Sequence, residues 1–348
     1  MKILKYMLVF LAMFLVALLI RASFARFGSS SSASRETGWP GTPGVGFPGS
    51  FDIENPIIPA EEIRSGGPPK DGIPALTDPS LVSAAGAGYL SDQDLVVGVN
   101  LDGETRAYPL RILVWHENAN DTVGQTPIAV TYCPLCQSTM VFDRRVGGQT
   151  REFGISGLLY NSNVLLYDRQ EDPKQESLWS QGELRAVSGP AAKAGLRLTL
   201  LPSDLTTWGD WKARHLDTQV LSLETGHRRS YGQDPYAGYF ASDELMFPVA
   251  VKIETPDRYR NKELMAVVYT DHGNKAYAVG EVAKAAGPDG LLPDRIGELE
   301  VKVYYVKEGP SIRITAGPEE LPVPVAYMYW FVLASMQANV PVYTLPGS

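Results

Sequence analysis

Only two cysteines occur in the 348 residues, and they stand together as Cys133-Pro134-Leu135-Cys136. A Cys-Pro-x-Cys turn brings two sulfurs and several backbone N–H groups to one spot, which suits a metal knuckle. The same spacing suits a reversible disulfide. A structural disulfide, or two buried thiols, is the plain alternative. One pair cannot close a tetrahedral metal site, so further ligands must come from elsewhere. His116, in the run VWHENAND, lies one hairpin-scale connection upstream. Two thiolates and one imidazole would leave an open fourth position, and their softness suits copper or zinc better than magnesium or calcium. The leading expectation is a copper or zinc ion held by Cys133, Cys136 and His116, for metal handling or redox chemistry. Thiol–disulfide exchange by the same pair is the second. A non-catalytic binding module with a structural disulfide is the third.

Other polar residues fall nearby in the pattern. Glu117 and Asp121 could orient ligands or be plain solvated acids. Tyr132 precedes the cysteine turn. Tyr160, Asn161, Ser162 and Asp168 sit in breaks between apolar runs and could line a cleft, as could Trp179. Turn chemistry is the simpler reading of Ser162, and core packing of Trp179. His215, His227 and His272 are dispersed, with His215 the first choice for a fourth ligand. Haem attachment is excluded because Gln137 follows Cys136. A zinc-deaminase pattern fails, since the acid directly follows His116 and Tyr132 precedes Cys133. No nucleophile elbow, P-loop or dinucleotide fingerprint is present, so neither a serine hydrolase nor a nucleotide cofactor is expected.

The elements that must position these residues read as β-rich. Gly 33 and Pro 26 imply many turns, and 44% hydrophobic residues can build a core. The fold class is α+β, mostly β. A net charge of −8 argues against nucleic-acid binding. Residues 1–26 carry Lys2 and Lys5, an apolar run over 6–20, and a small-x-small pattern at Ser23 and Ala25. This is a signal peptide or an N-terminal membrane anchor, so the protein is expected outside the cytoplasm, periplasmic or at the cell surface. Residues 27–50 read as a Ser/Gly/Pro tether, 51–93 as an extended arm, and 94–244 as a first β-rich half with the cysteines. Residues 245–348 read as a second half, a degenerate repeat serving as scaffold: KELMAVVYTDHGNKAYAV parallels QDLVVGVNLDGETRAYPL. RILVWHENAND reads as a short helix or turn. A helix capped by Ser203 or Thr206 is expected to carry Trp208 and Trp211 on one face. A metal ion or a small molecule is the expected partner.

The segments GGPPKDGIPAL, WHENAND, TYCPLCQSTMVFDR, FGISGLLYNSNVLLYDRQ, ESLWSQ and TTWGDWKARHLDTQVLS, in this order, resemble domain of unknown function family 3179 of bacteria and archaea. The resemblance spans roughly residues 55–345. It implies a signal peptide or lipid anchor and brings no activity with it. The family's characteristic block matches at His116, Glu117, Asp121, Cys133, Cys136, Asn161, Ser162, Asp168 and Trp179. The WHENAND segment and the C-terminal helix depart from the usual pattern.

Overall fold

Runs of Val, Ile, Leu and Tyr broken by Gly and Asn turns fold here into sheets buried on both faces. The computed structural model describes Phe51 and residues 55–250, 256–309 and 311–345. The expected signal or anchor segment and the tether lie outside the described residues. Strand accounts for 42% and helix for 17%, so the chain is α+β and mostly β.

In chain order the first strands are β1 (Ile63–Ser65), β2 (Leu76–Thr77), β3 (Leu81–Ser83), β4 (Leu95–Leu101), β5 (Glu104–Pro109), β6 (Asn118–Val123), β7 (Thr126–Cys133) and β8 (Ser138–Asp143). Next come β9 (Arg145–Val146), β10 (Gln149–Thr150), β11 (Phe153–Tyr160), β12 (Asn163–Asp168), β13 (Leu178–Ser180), β14 (Arg185–Ser188), β15 (Thr199–Leu200), β16 (Asp204–Thr207) and β17 (Gln219–Leu221). The last are β18 (Leu264–Thr270), β19 (Gly273–Ala278), β20 (Leu291–Ile296), β21 (Leu299–Val306), β22 (Ser311–Ala316), β23 (Leu321–Pro322) and β24 (Val325–Tyr329). The helices are α1 (Leu110–Leu113), α2 (Gly189–Lys193), α3 (Trp208–Arg214), α4 (Ala237–Phe240), α5 (Val279–Ala285) and α6 (Trp330–Met336).

The central sheet runs β19-β18-β24-β8-β7-β6-β2, with β15 on β8. Alternation along β7 sends Ile128, Val130 and Tyr132 into one core and Ala129 and Cys133 into the other. A second sheet, β1-β11-β12-β13-β14, shares the core on the cysteine side. A third, β16-β4-β5-β17-β3, and a fourth, β20-β21-β22-β23, complete the body with the small β9–β10 pair. Residues 63–83 supply β1, β2 and β3 to three different sheets.

One arrangement of elements occurs twice. Hairpin β4–β5 leads into α1, while β16 flanks β4 antiparallel and, after α3, β17 returns parallel to β5. Hairpin β18–β19 leads into α5, while β24 flanks β18 antiparallel and, after α6, Val342 bridges parallel to Ala276 on β19. This is a likeness of topology, not a measure of common descent. The two stretches do not form separate bodies, because β24 pairs with β8 inside the central sheet.

Two local expectations are corrected. RILVWHENAND is a short helix only at its start: α1 ends at Leu113, and Asn118–Val123 is strand β6. Polar residues survive in this buried strand because their amides replace missing backbone partners. Asn118 Nδ2 and Asn120 Nδ2 each donate to Phe153 O at 2.8 Å, and Phe153 N–H donates to Asn120 Oδ1 at 2.9 Å. The helix expected after Ser203 or Thr206 starts later. Asp204–Thr207 extend β16, and Thr207 caps α3 by accepting from Asp210 N–H. Trp211 of that helix lies against Gly98 of β4, where a Cβ would stand 2.2 Å from the indole. Gly98→Ala is therefore expected to destabilise the protein by about 1–3 kcal/mol through overpacking, read as a lowered urea midpoint at unchanged slope. An unchanged midpoint would refute this account.

Candidate functional site

The cysteine turn is set by three backbone features. Cys133 ends β7 in extended conformation, Pro134 opens a short 3-10 turn over Pro134–Cys136, and Gln137 leaves it left-handed at φ 47°. Both sulfurs are free thiols, with Cys133 1% and Cys136 0% exposed. They lie between the central sheet and the β11–β14 sheet.

Polar side chains converge on Cys136. Asn163 Nδ2 donates to Cys136 Sγ at 3.0 Å, and Ser138 Oγ lies 3.2 Å from the same sulfur. Ser138 and Asn163 both donate to Gln181 Oε1, at 2.5 and 2.8 Å. Gln181 is oriented by its own donation to Thr131 Oγ1 at 2.8 Å, and Asn163 by accepting from Gly182 N–H at 2.9 Å. Burial pushes the Cys136 thiol up, but hydrogen bonds from Cys133, Ser138 and Asn163 outweigh it, and the net direction is down. Burial pushes the Cys133 thiol well up, and its hydrogen bond to Cys136 and the nearby Glu117 add to the rise. The pair is therefore asymmetric: Cys136 is the more acidic thiol and Cys133 the one that holds its proton harder.

Glu117 is buried at φ 55°, and its carboxyl takes no hydrogen bond from the described residues. Burial, with Cys136 nearby, pushes it up to about 8. His116 is placed differently. Its Nδ1–H donates to Pro74 O at 2.7 Å, and Nε2 accepts from Tyr231 O–H at 2.7 Å. Burial lowers it to about 4, so the ring is neutral at pH 7. Both ring nitrogens are thus engaged away from the sulfurs. Among the described residues no group of three or more His, Cys, Asp or Glu side chains is placed to hold a metal ion. His215, at the end of α3, packs at a tilt against Trp211, ring centroids 4.0 Å apart.

The remaining expected residues divide into neighbours and braces. Tyr132 donates to Gln137 Oε1 at 3.0 Å beside the turn. Asn161 and Ser162 are the two left-handed residues of the β11–β12 hairpin, and Ser162 O lies 4.0 Å from Cys133 Sγ. Tyr160 belongs to a separate core with Ile63 and Leu165. Asp168 is a brace: its carboxylate accepts from Arg151, from Ser177 N–H at 2.7 Å and from Trp179 Nε1 at 3.0 Å. Asp121 ties β6 to β5 through Arg106 and Tyr108, each at 2.6 Å.

A cover lies over the turn. Tyr239 of α4 donates to Leu135 O at 2.7 Å, and Ala250 N–H donates to Asn161 Oδ1 at 2.9 Å. Beside it opens a cleft of about 330 Å³, lined by Leu95, Leu110, Val114, Tyr132, Gln137 and Phe240 among others.

A family model described as a protein of unknown function, domain of unknown function 3179, matches residues 70–321. The chain belongs to this family. No curated protein and no solved structure matches it. The family match takes in the cysteine turn, Glu117, Asn163 and Gln181, so the whole sulfur environment lies inside the family domain. Ser138, Asn163, Gln181 and Thr131 were not among the residues expected to form the site. A sequence signal for them existed: each is polar beside or within an apolar strand, where a polar side chain needs an internal partner.

Glu117 makes the stability of this family member depend on pH. Its folded value near 8 exceeds the unfolded value of 4.5, so the stability it allows is full below pH 4.5 and is lost as pH rises through 8. Glu117→Gln is expected to be more stable than the wild type at pH 9, by on the order of a few kcal/mol, and equal to it near pH 4.5. Urea unfolding at the two pH values reads this. Parallel loss of stability in both proteins would sink it.

Proposed function

We propose that Cys133 and Cys136 form a redox-active dithiol that cycles to a disulfide outside the cytoplasm. The observation that carries this reading is the asymmetry of the pair. A sulfur buried only for structure needs no donors, yet Asn163 and Ser138 both reach Cys136. Donors of this kind stabilise a thiolate, the reactive form in thiol chemistry. Cys133, protonated beside it, is the second thiol. Oxidation forms the S–S bond and releases two protons and two electrons to an acceptor. The Glu117 carboxyl, which takes no hydrogen bond from the described residues, is a place for one of those protons. The signal-type pattern of residues 1–26 supports export, where disulfides persist.

Equilibration of the pair in graded thiol–disulfide buffers, with alkylation and mass analysis, tests this. A reduction potential above about −300 mV is expected, because structural disulfides lie below that value. A pair that never closes, or closes only as a deep structural disulfide, would overturn the reading.

The metal reading keeps one specific support. Both sulfurs lie on one turn, and His116 is already the neutral imidazole that ligates. It requires Tyr231 to release Nε2. Protein purified without chelator would then carry near one copper or zinc per chain, lost in Cys133→Ser. Metal-free protein that also refuses both metals after thiol reduction would rule it out.

A further inference from the structure

A redox-active pair needs an electron acceptor, and the packing around the sulfurs narrows the choice. We propose, on the basis of the dithiol reading, that the pair is oxidised by a small hydroperoxide, hydrogen peroxide being the simplest, and that Cys136 is the sulfur that attacks it.

Three observations lead there. The first is access. A thiolate attacks a disulfide through a mixed-disulfide intermediate, so a second molecule must reach the sulfur and stay bonded to it. Cys133 is 1% and Cys136 0% exposed, and α4 closes the turn through the Tyr239 bond to Leu135 O. A partner disulfide would have to displace that cover. A peroxide is two oxygen atoms. The 330 Å³ cleft lies beside the turn, with Tyr132 and Gln137, the chain neighbours of Cys133 and Cys136, in its wall.

The second observation is the donor set. Asn163 Nδ2 and Ser138 Oγ flank Cys136 Sγ at 3.0 and 3.2 Å. They hold the attacking sulfur in place, Asn163 by donating to it. The third is the position of Cys133 at the head of the same turn, its carbonyl oxygen 3.7 Å from Cys136 Sγ, with burial pushing its thiol well up. It is the thiol that meets the product of the first step.

The chemistry balances. Cys136 sulfur forms a bond to one peroxide oxygen, the O–O bond breaks, and the other oxygen leaves as water, giving a sulfenic acid at Cys136. The Cys133 sulfur then displaces that hydroxyl, forming the disulfide and a second water. Two thiols and one peroxide give one disulfide and two waters. Sulfur is oxidised by two electrons and the peroxide is reduced by two.

The test uses the reduced full-length chain at pH 7, mixed with hydrogen peroxide or with oxidised glutathione, and reads disulfide formation by quench, alkylation and mass. Peroxide is expected to react about tenfold or more faster than it does with free cysteine, and faster than oxidised glutathione does with the protein. Cys133→Ser is expected to accumulate sulfenic acid at Cys136, trapped by dimedone, and Cys136→Ser to trap none at Cys133. A peroxide rate no greater than that of free cysteine, or a faster reaction with oxidised glutathione, overturns the proposal. Should either variant fail to fold, the wild-type rates decide alone. A pair that equilibrates in thiol buffers but ignores peroxide ends this proposal and leaves the redox reading standing. A pair that no oxidant closes ends both.

Discussion

Every proton buried around Cys136 has to be assigned inside the protein, and that constraint shapes the site. Asn163 has two amide protons, and its oxygen is taken by Gly182 N–H. One proton goes to Cys136 Sγ and the other to Gln181 Oε1. Ser138 has a single proton and two places to send it, Gln181 Oε1 or the sulfur. With Cys136 protonated, the thiol donates to Ser138 and Ser138 donates to Gln181. With Cys136 ionised, Ser138 turns to the sulfur while Asn163 still satisfies Gln181. The same side chains serve both protonation states, and no buried atom of the set is stranded in either. A thiol that only filled space would not need this, because a thiol is a weak donor that packs as a small hydrophobe.

The sheets exist in the right places for that accounting because the chain weaves its two stretches together. The cysteines lie on the turn between β7 and β8, strands of the central sheet, while Asn163 and Gln181 come from the facing sheet, at the start of β12 and just after β13. The face they share is closed by β24 and α6, whose residues Met328 and Trp330–Ala334 are buried in the same core. A cut between the two stretches would pass through the β8–β24 pairing. The late strands therefore act on the site by sealing it and carry no sulfur chemistry of their own.

Much of this could be read from the sequence, and the failures have a common cause. The cysteine turn, the β-rich class and the Asn161–Ser162 hairpin follow from local rules: one Cys-x-x-Cys, strand-length apolar runs, and polar residues that tolerate positive φ. His116 was expected to complete a ligand set because it lay a hairpin away. Its side chain instead bridges Pro74, which is upstream, and Tyr231, which is far downstream, and neither contact has a local signal. Asp168 reads in sequence as a cleft residue and in space is a brace, because its partner Arg151 is buried with it across the hairpin. Removing one member of such a pair leaves an uncompensated charge, which explains its burial without a chemical role. Gln181 and Asn163 were missed for the converse reason. An amide becomes part of a site only when another sheet delivers a sulfur to it.

Strain points to the same place. Nine described non-glycine residues have positive φ, and four of them, Glu117, Gln137, Asn161 and Ser162, surround the cysteine turn. Asn161 and Ser162 are explained by a two-residue hairpin, which requires that conformation. Gln137 closes the four-residue loop of the β7–β8 hairpin, whereas Glu117 is not explained by a hairpin. Glu117 is bulky, left-handed, buried and without a donor for its carboxyl, and Gln137 exits the turn left-handed to reach Tyr132. The Glu117 conformation costs stability, and such costs persist where the surrounding structure is needed for something other than folding. The comparable meander β20–β21–β22 makes its turns with Gly297 and carries no cysteine. The β6–β7–β8 meander is thus polar inside and sulfur-bearing.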